Sequence, residues 1–215
     1  MLDGQNRLLA VQRANVAVPF WIARGAPRDS FFVIDTGQPR NLFHALAIEG
    51  QKNARQLAGG LNMLWRLPAG RDEDGDPANA NPSTPVALAF FHEQDVAGLN
   101  ASVNAASHIY YYLHGPHSAY TATSHLFLTL DSSDGEYFVD RLATGHELKK
   151  DNPVGVLRNT ILALRAQPAM RSVDRLYIAA LLIKAWNLYR EGKPAKIGIH
   201  WKRGGANPEP FPVPV

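Results

Sequence analysis

From residue 41 onward, apolar residues recur every three to four positions, with breaks where glycine, proline or asparagine falls. That period predicts a run of amphipathic helices. Leu42, Leu46 and Ile48 mark one over 41–49, ended by Gly50. Asn53 caps a second that reaches about residue 67, with Leu57, Leu61, Leu64 and Trp65 facing inward. Its Gly59-Gly60 pair weakens it by about 1 kcal/mol per glycine relative to alanine, and marks a kink or a close helix crossing. Ser83 caps a helix over 84–94, with Pro85 near its first turn. The next runs from about 95 to 114. Val103, Ala106, Ile109, Tyr110 and Leu113 form its apolar face, and Gly115-Pro116 stops it. His117 opens another, through Leu126, Phe127 and Leu130; a short segment follows at 135–142 and an amphipathic one at 153–166. The strongest pattern is 173–191, with Ser172 as cap, Asp174 in the first turn, and Gly192 and Pro194 closing it. Its apolar residues wrap most of the circumference, so it is expected to be the buried spine of the bundle. Lys184 and Asn187 interrupt that surface; a snorkelling Lys184 is the commoner outcome, an anion-facing one the alternative.

The first forty residues have a different rhythm. Leu8, Leu9 and Val11 suit a short helix over 5–14, and 16–23 reads as a strand held to an edge or bulge by Pro19. Pro27 fits the start of a short helical turn over 26–32. Residues 197–201 supply a second strand candidate. The expected fold class is therefore mainly α: a multi-helix bundle with a small α/β element at the N-terminus. The expected division is 1–67 for that element with its following helices, 68–82 for an acidic loop, and 83–203 for a helical domain. Residues 204–215, with Pro208, Pro210, Pro212 and Pro214, are expected to be a disordered tail.

The 215 residues are 46% apolar, enough for a substantial core. No apolar run approaches the roughly 18 residues of a membrane span, and no basic-then-apolar leader opens the chain, so a cytoplasmic location with no membrane partner is expected. The chain has no cysteine, which excludes disulfides, thiolate metal sites and thiol redox chemistry. A net charge of +3 permits nucleic-acid contact without demanding it.

Asp3-Gly4-Gln5-Asn6-Arg7 is the stretch that reads most like a chemical site. Asp3 suits an N-cap, Gly4 lets backbone approach a ligand, and the free N–H groups of a helix start attract an anion. The bland alternative is a capped turn with a solvated Arg7. This run, with Val18-Pro19, Arg24-Gly25, 33–37 and Arg40, resembles the DGQHR-type proteins of the ParB/sulfiredoxin-like superfamily, common in phages and plasmids. Residues 182–187, 189–192 and Trp201 are similar to the closing segment of its phage-type members. The resemblance implies that the α/β element is the remnant of a ParB-like domain lacking its N-terminal part. It also implies a phosphate or nucleotide site at Gly4, Gln5, Asn6 and Arg7, with a nucleotide as the one ligand suggested. Asp3, Asp35, Thr36 and Arg40 would form the supporting turn. Asn6 replaces the family's usual histidine, which removes a titratable group there.

The basic stretch Lys193, Lys196, Lys202 and Arg203, with Trp201 between, suits a phosphate backbone and a stacked base. The leading expectation is thus a nucleic-acid-associated, ParB-like protein with DNA as partner. The alternative is a non-catalytic helical module that binds another protein or a second copy of itself. Catalysis ranks last, because no phosphate-loop lysine or paired-carboxylate arrangement has suitable spacing. Asp35-Thr36-Gly37 has the look of a retroviral-type aspartic protease, but the helical rhythm after Arg40 opposes that fold. Asp74-Gly75-Asp76 lacks the ligand spacing of a calcium loop. His108, His114, His117 and His125 fall close in sequence, but the Gly-Pro break between them spoils the spacing for a metal.

Overall fold

The computed structural model describes residues 4–27, 30, 41–71, 76–166, 174–195 and 198–215. The chain divides into two compact units, Met1–Asn41 and Leu42–Val215. In the first, α1 (Gln5–Ala14) starts at Gly4, whose φ of 89° is left-handed and favours glycine. No α1 side chain is buried. The strand expected at 16–23 does not form: these residues carry no ladder, and no strand occurs among the described residues. The α/β remnant is therefore not seen; Pro19 removes a ladder donor, and no partner strand lies among the described residues.

The second unit is a helical bundle: α2 (Leu42–Ile48), α3 (Ala54–Arg66), α4 (Thr84–Glu93), α5 (Val96–Leu113), α6 (His117–Leu130), α7 (Ser132–Thr144), α8 (Pro153–Ala166) and α9 (Arg175–Arg190). The expected helices are present, with shifted ends. The segment at 135–142 extends to both sides, because Asp131 caps it by accepting from Asp134 N–H at 3.0 Å. The last helix begins at Arg175, capped by Asp174, whose carboxylate accepts from Leu176 N–H at 3.0 Å; Ser172 lies outside the described residues.

The centre of the bundle is α6, which packs on α3, α5, α7 and α9. Residues 119–127 are all buried. The last helix is buried round most of its circumference, as expected, but α6 makes contact with more of the other helices. The composition of α6 hides its position, since serine and threonine look like surface residues. Thr121 and Thr123 return their hydroxyl protons to the carbonyls of His117 and Ala119 at 3.0 and 2.9 Å, which makes them small and self-satisfied. Small residues also allow close crossings. A Cβ on Gly60 would lie 2.3 Å from Thr121 Cγ2, so the glycine pair of α3 marks a helix contact. Below it, Phe127 of α6 stacks on Trp186 of α9 at 4.4 Å, and Phe138 of α7 meets both edge-on.

Two arginines of α8 close other helices. Arg158 donates to the carbonyls of Leu142 and Ala143, and Arg165 to that of Leu113. Each satisfies C-terminal carbonyls that have no partner within their own helix. The loop after α3 does not separate modules. Ala78 N–H and carbonyl both bond Arg66, at 2.9 Å each, and α3 before the loop packs on α6 after it. Among the described residues, no helix is long and apolar enough to cross a membrane.

Candidate functional site

Of the residues expected to bind nucleic acid, Trp201 and Lys202 meet the segment expected to be disordered, beside α9. Residues 204–215 do not form a loose end. Phe211 and Pro214 are buried, and the segment lies along α9 as a strap. Alternating prolines fix φ and keep the preceding residues extended, so the strap's carbonyls have no partners of their own. Side chains supply them. Trp186 Nε1 donates to Val215 O at 2.7 Å, and Trp201 Nε1 to Pro210 O at 3.1 Å. Asn187 donates through Nδ2 to Val213 O at 2.8 Å and accepts from Val215 N–H at 3.2 Å. Phe211 meets the Trp201 ring edge-on at 5.3 Å.

A charged contact holds the near end. Lys184 donates to His200 O at 2.5 Å and to Glu209 at 2.7 Å, and that contact leads the effects holding the Glu209 carboxyl below its ordinary range. Glu209 N–H donates to Lys202 O at 2.8 Å, closing the turn between 202 and 209. Lys184 thus faces an anion, one from its own chain.

The expected strand at 197–201 is absent; described residues 198–201 are irregular, although Ile199 and Trp201 are buried. Trp201 packs between Tyr177 and Phe211, so its ring faces protein rather than an open stacking surface. Arg203 pairs with Asp174, and Lys193 with Glu191 at 2.6 Å. Lys202 joins the strap turn through its backbone. Lys196 lies outside the described residues.

In the first unit, Gly4 stands at the N-cap of α1 with no side-chain cap, and Gln5, Asn6 and Arg7 form the first turn. Asp3, Asp35, Thr36 and Arg40 lie outside the described residues. The four clustered histidines take separate roles. His108 packs on Tyr112 and His114 on Tyr110. His117 bonds Ser107 at 3.0 Å and Thr121 at 3.2 Å, and His125 bonds Ser102 at 3.3 Å.

Sequence reasoning missed Trp186, Asn187 and the strap as a site. The signal was present: Lys184 and Asn187 interrupt an apolar helix at i and i+3, and proline alternates beside Phe211 at the chain's end. No protein-family model, curated protein or solved structure matches this chain.

Proposed function

We propose that the chain is a helical protein-interaction module whose α9 face binds an extended, proline-punctuated segment. The observation that supports this is the reading of main-chain atoms in 210–215 by the side chains of Trp186, Asn187 and Trp201. Recognition through backbone carbonyls, with aromatic rings between prolines, is a recurrent way of binding such peptides. The resident occupant is the chain's own strap, tethered at an effective concentration of about millimolar, which excludes weaker competitors. The test uses the full chain with Phe211→Ala, which loosens the strap and leaves α9 intact. A labelled peptide of residues 207–215 binds this variant saturably, and adding Asn187→Ala weakens it about tenfold or more, the loss of two hydrogen bonds. Absence of binding, or binding indifferent to Asn187, defeats the reading.

A second reading moves the nucleic-acid role from the 193–203 stretch to the first unit, where the phosphate turn was expected. It is favoured by the left-handed Gly4 N-cap, which leaves the first turn without a side-chain cap, and by the three arginines Arg7, Arg13 and Arg24 within 4–27. The ParB-like resemblance belongs with this reading. DNA retention that falls steeply as salt rises supports it, and flat salt dependence discards it.

A further inference from the structure

A cavity of about 520 Å³ lies between α5, α6 and α7. It exists because α5 lines it with its smallest residues, Gly98, Ala101 and Ala105, which share one helical face. His125 of α6 forms part of its wall and is only 8% exposed. The hydroxyl of Ser102 donates to Gly98 O at 2.7 Å, because a carbonyl only accepts. The 3.3 Å contact between that hydroxyl and His125 Nδ1 therefore has the ring as donor. This sets the neutral ring with its proton on Nδ1 and a lone pair on Nε2. Burial lowers the pKa of His125, outweighing the Gly98 carbonyl and Asp95, so the neutral form prevails at neutral pH. Among the described residues, the enclosed polar side-chain atoms with no partner are Tyr120 Oη and Arg141 Nε. With Nδ1 as donor, Nε2 is the ring's remaining acceptor, and His125 lines both this cavity and the neighbouring one bordered by Leu126 and Leu130.

The rim adds Asp95, Glu136 and Asp140, with no lysine or arginine in the lining. Asp95 caps α5 by accepting from Ala97 and Gly98 N–H at 3.0 and 2.9 Å. Asp140 has a loose 4.0 Å contact with Arg141, whose guanidinium also bonds Glu147. Glu136 makes no hydrogen bond or ion pair with any described residue. The wall thus offers acceptors and negative charge above apolar side chains. No three histidine or carboxylate groups among the described residues converge as a metal site would need. Spread acceptors over an apolar floor fit a longer cation.

We propose that this cavity binds a small organic ammonium ion, its N–H groups shared between His125 Nε2 and the Glu136 carboxylate, its apolar body lying on Ala101, Ala105 and Val139. The site lies on α5, α6 and α7 and shares no residue with the α9 face that holds the strap. The probe is hexylammonium, titrated onto the full chain at pH 8 and low salt, with hexanoate as the anion of equal length. The expected result is saturable binding of the ammonium with a Kd on the order of 1 mM, and none of hexanoate. The His125 Cε1–H resonance shifts with hexylammonium alone. Glu136→Gln, an isosteric change at an exposed position, weakens binding at least fivefold. An unmoved His125 resonance, equal binding of hexanoate, or full affinity in the Glu136→Gln chain overturns the proposal.

Discussion

Asn187 holds Val213 and Val215 through the two ends of its amide, donating to Val213 O at 2.8 Å and accepting from Val215 N–H at 3.2 Å. A side-chain amide has one donor end and one acceptor end, and an extended chain presents a carbonyl and an N–H two residues apart on one edge. The pairing fixes the register of the strap. Asn187→Ala removes both bonds, and Asn187→Asp keeps only the acceptor. We expect amide exchange of Val215 to accelerate in both variants, more in the alanine. Global stability should fall by about 1–2 kcal/mol in the alanine chain, as for two partly exposed hydrogen bonds. Unchanged Val215 exchange would disprove the contact.

The crossing of α3 over α6 depends on Gly60. A methyl group there meets Thr121 Cγ2 at 2.3 Å and Cβ at 2.8 Å. Helix propensity favours Gly60→Ala by about 1 kcal/mol, but overpacking costs about 1–3 kcal/mol. The expected net result is destabilisation in urea unfolding. Thr121→Ser in the same chain removes the nearer clash and leaves the farther, so it should restore part of the loss.

Tyr120 is fully buried, and its hydroxyl has no partner; burial raises its pKa far above the ordinary phenol value. Gly115 stands beside it, where an added Cβ would come within 2.7 Å of the oxygen. Removing an unsatisfied buried hydroxyl relieves a desolvation penalty. Tyr120→Phe is therefore expected to raise stability by about 1 kcal/mol, read as a higher urea midpoint at unchanged slope. A loss of stability would mean the hydroxyl has a partner in solution.

Burial lowers the pKa of both His117 and His125. In the unfolded chain these rings take up protons near pH 6.5, while the folded protein resists until lower pH. Between those values the unfolded state binds more protons, so stability rises with pH there. The urea midpoint should fall as pH drops from 7.5 to 5, and His117→Asn should flatten part of that slope. A flat wild-type profile would contradict this.

At lower pH the contact between α7 and α9 takes over. Asp131 is held below the ordinary carboxylate range, first by Asp134 N–H and then by Arg190. Its contribution is present above the unfolded carboxyl value and is lost as pH falls through the lower folded value. Arg190→Gln should move the Asp131 carboxyl titration, followed by carbon NMR, only part of the way back. The backbone donor survives the substitution.

Helix positions after residue 41 were legible because burial repeats with the helical period, and stops were legible because glycine and proline act locally. Gly59-Gly60 pointed to a kink or a crossing, and the contact of Gly60 with Thr121 makes it a crossing. The centrality of α6 was not legible: Thr121, Thr123 and Ser124 are hydroxylated residues whose burial depends on being small at a crossing. Trp201 between two lysines suggested an open surface, yet Phe211 and Tyr177 cover it. Proline alternation in 208–215 predicts extended backbone, which by itself does not tell order from disorder. A chain with no internal hydrogen bonds is ordered only if another element provides partners, and those are on α9.

Which segments of the second unit are helical, and where most of them end, follows from local residue order, since propensity, capping and periodicity act over a few residues. Which helix sits at the centre, what Lys184 and Asn187 bind, and the order of the last residues were decided by tertiary structure. Each depends on a partner that sequence distance conceals, from Gly60 against Thr121 to Trp186 against Val215, and only packing brings such partners within bonding range.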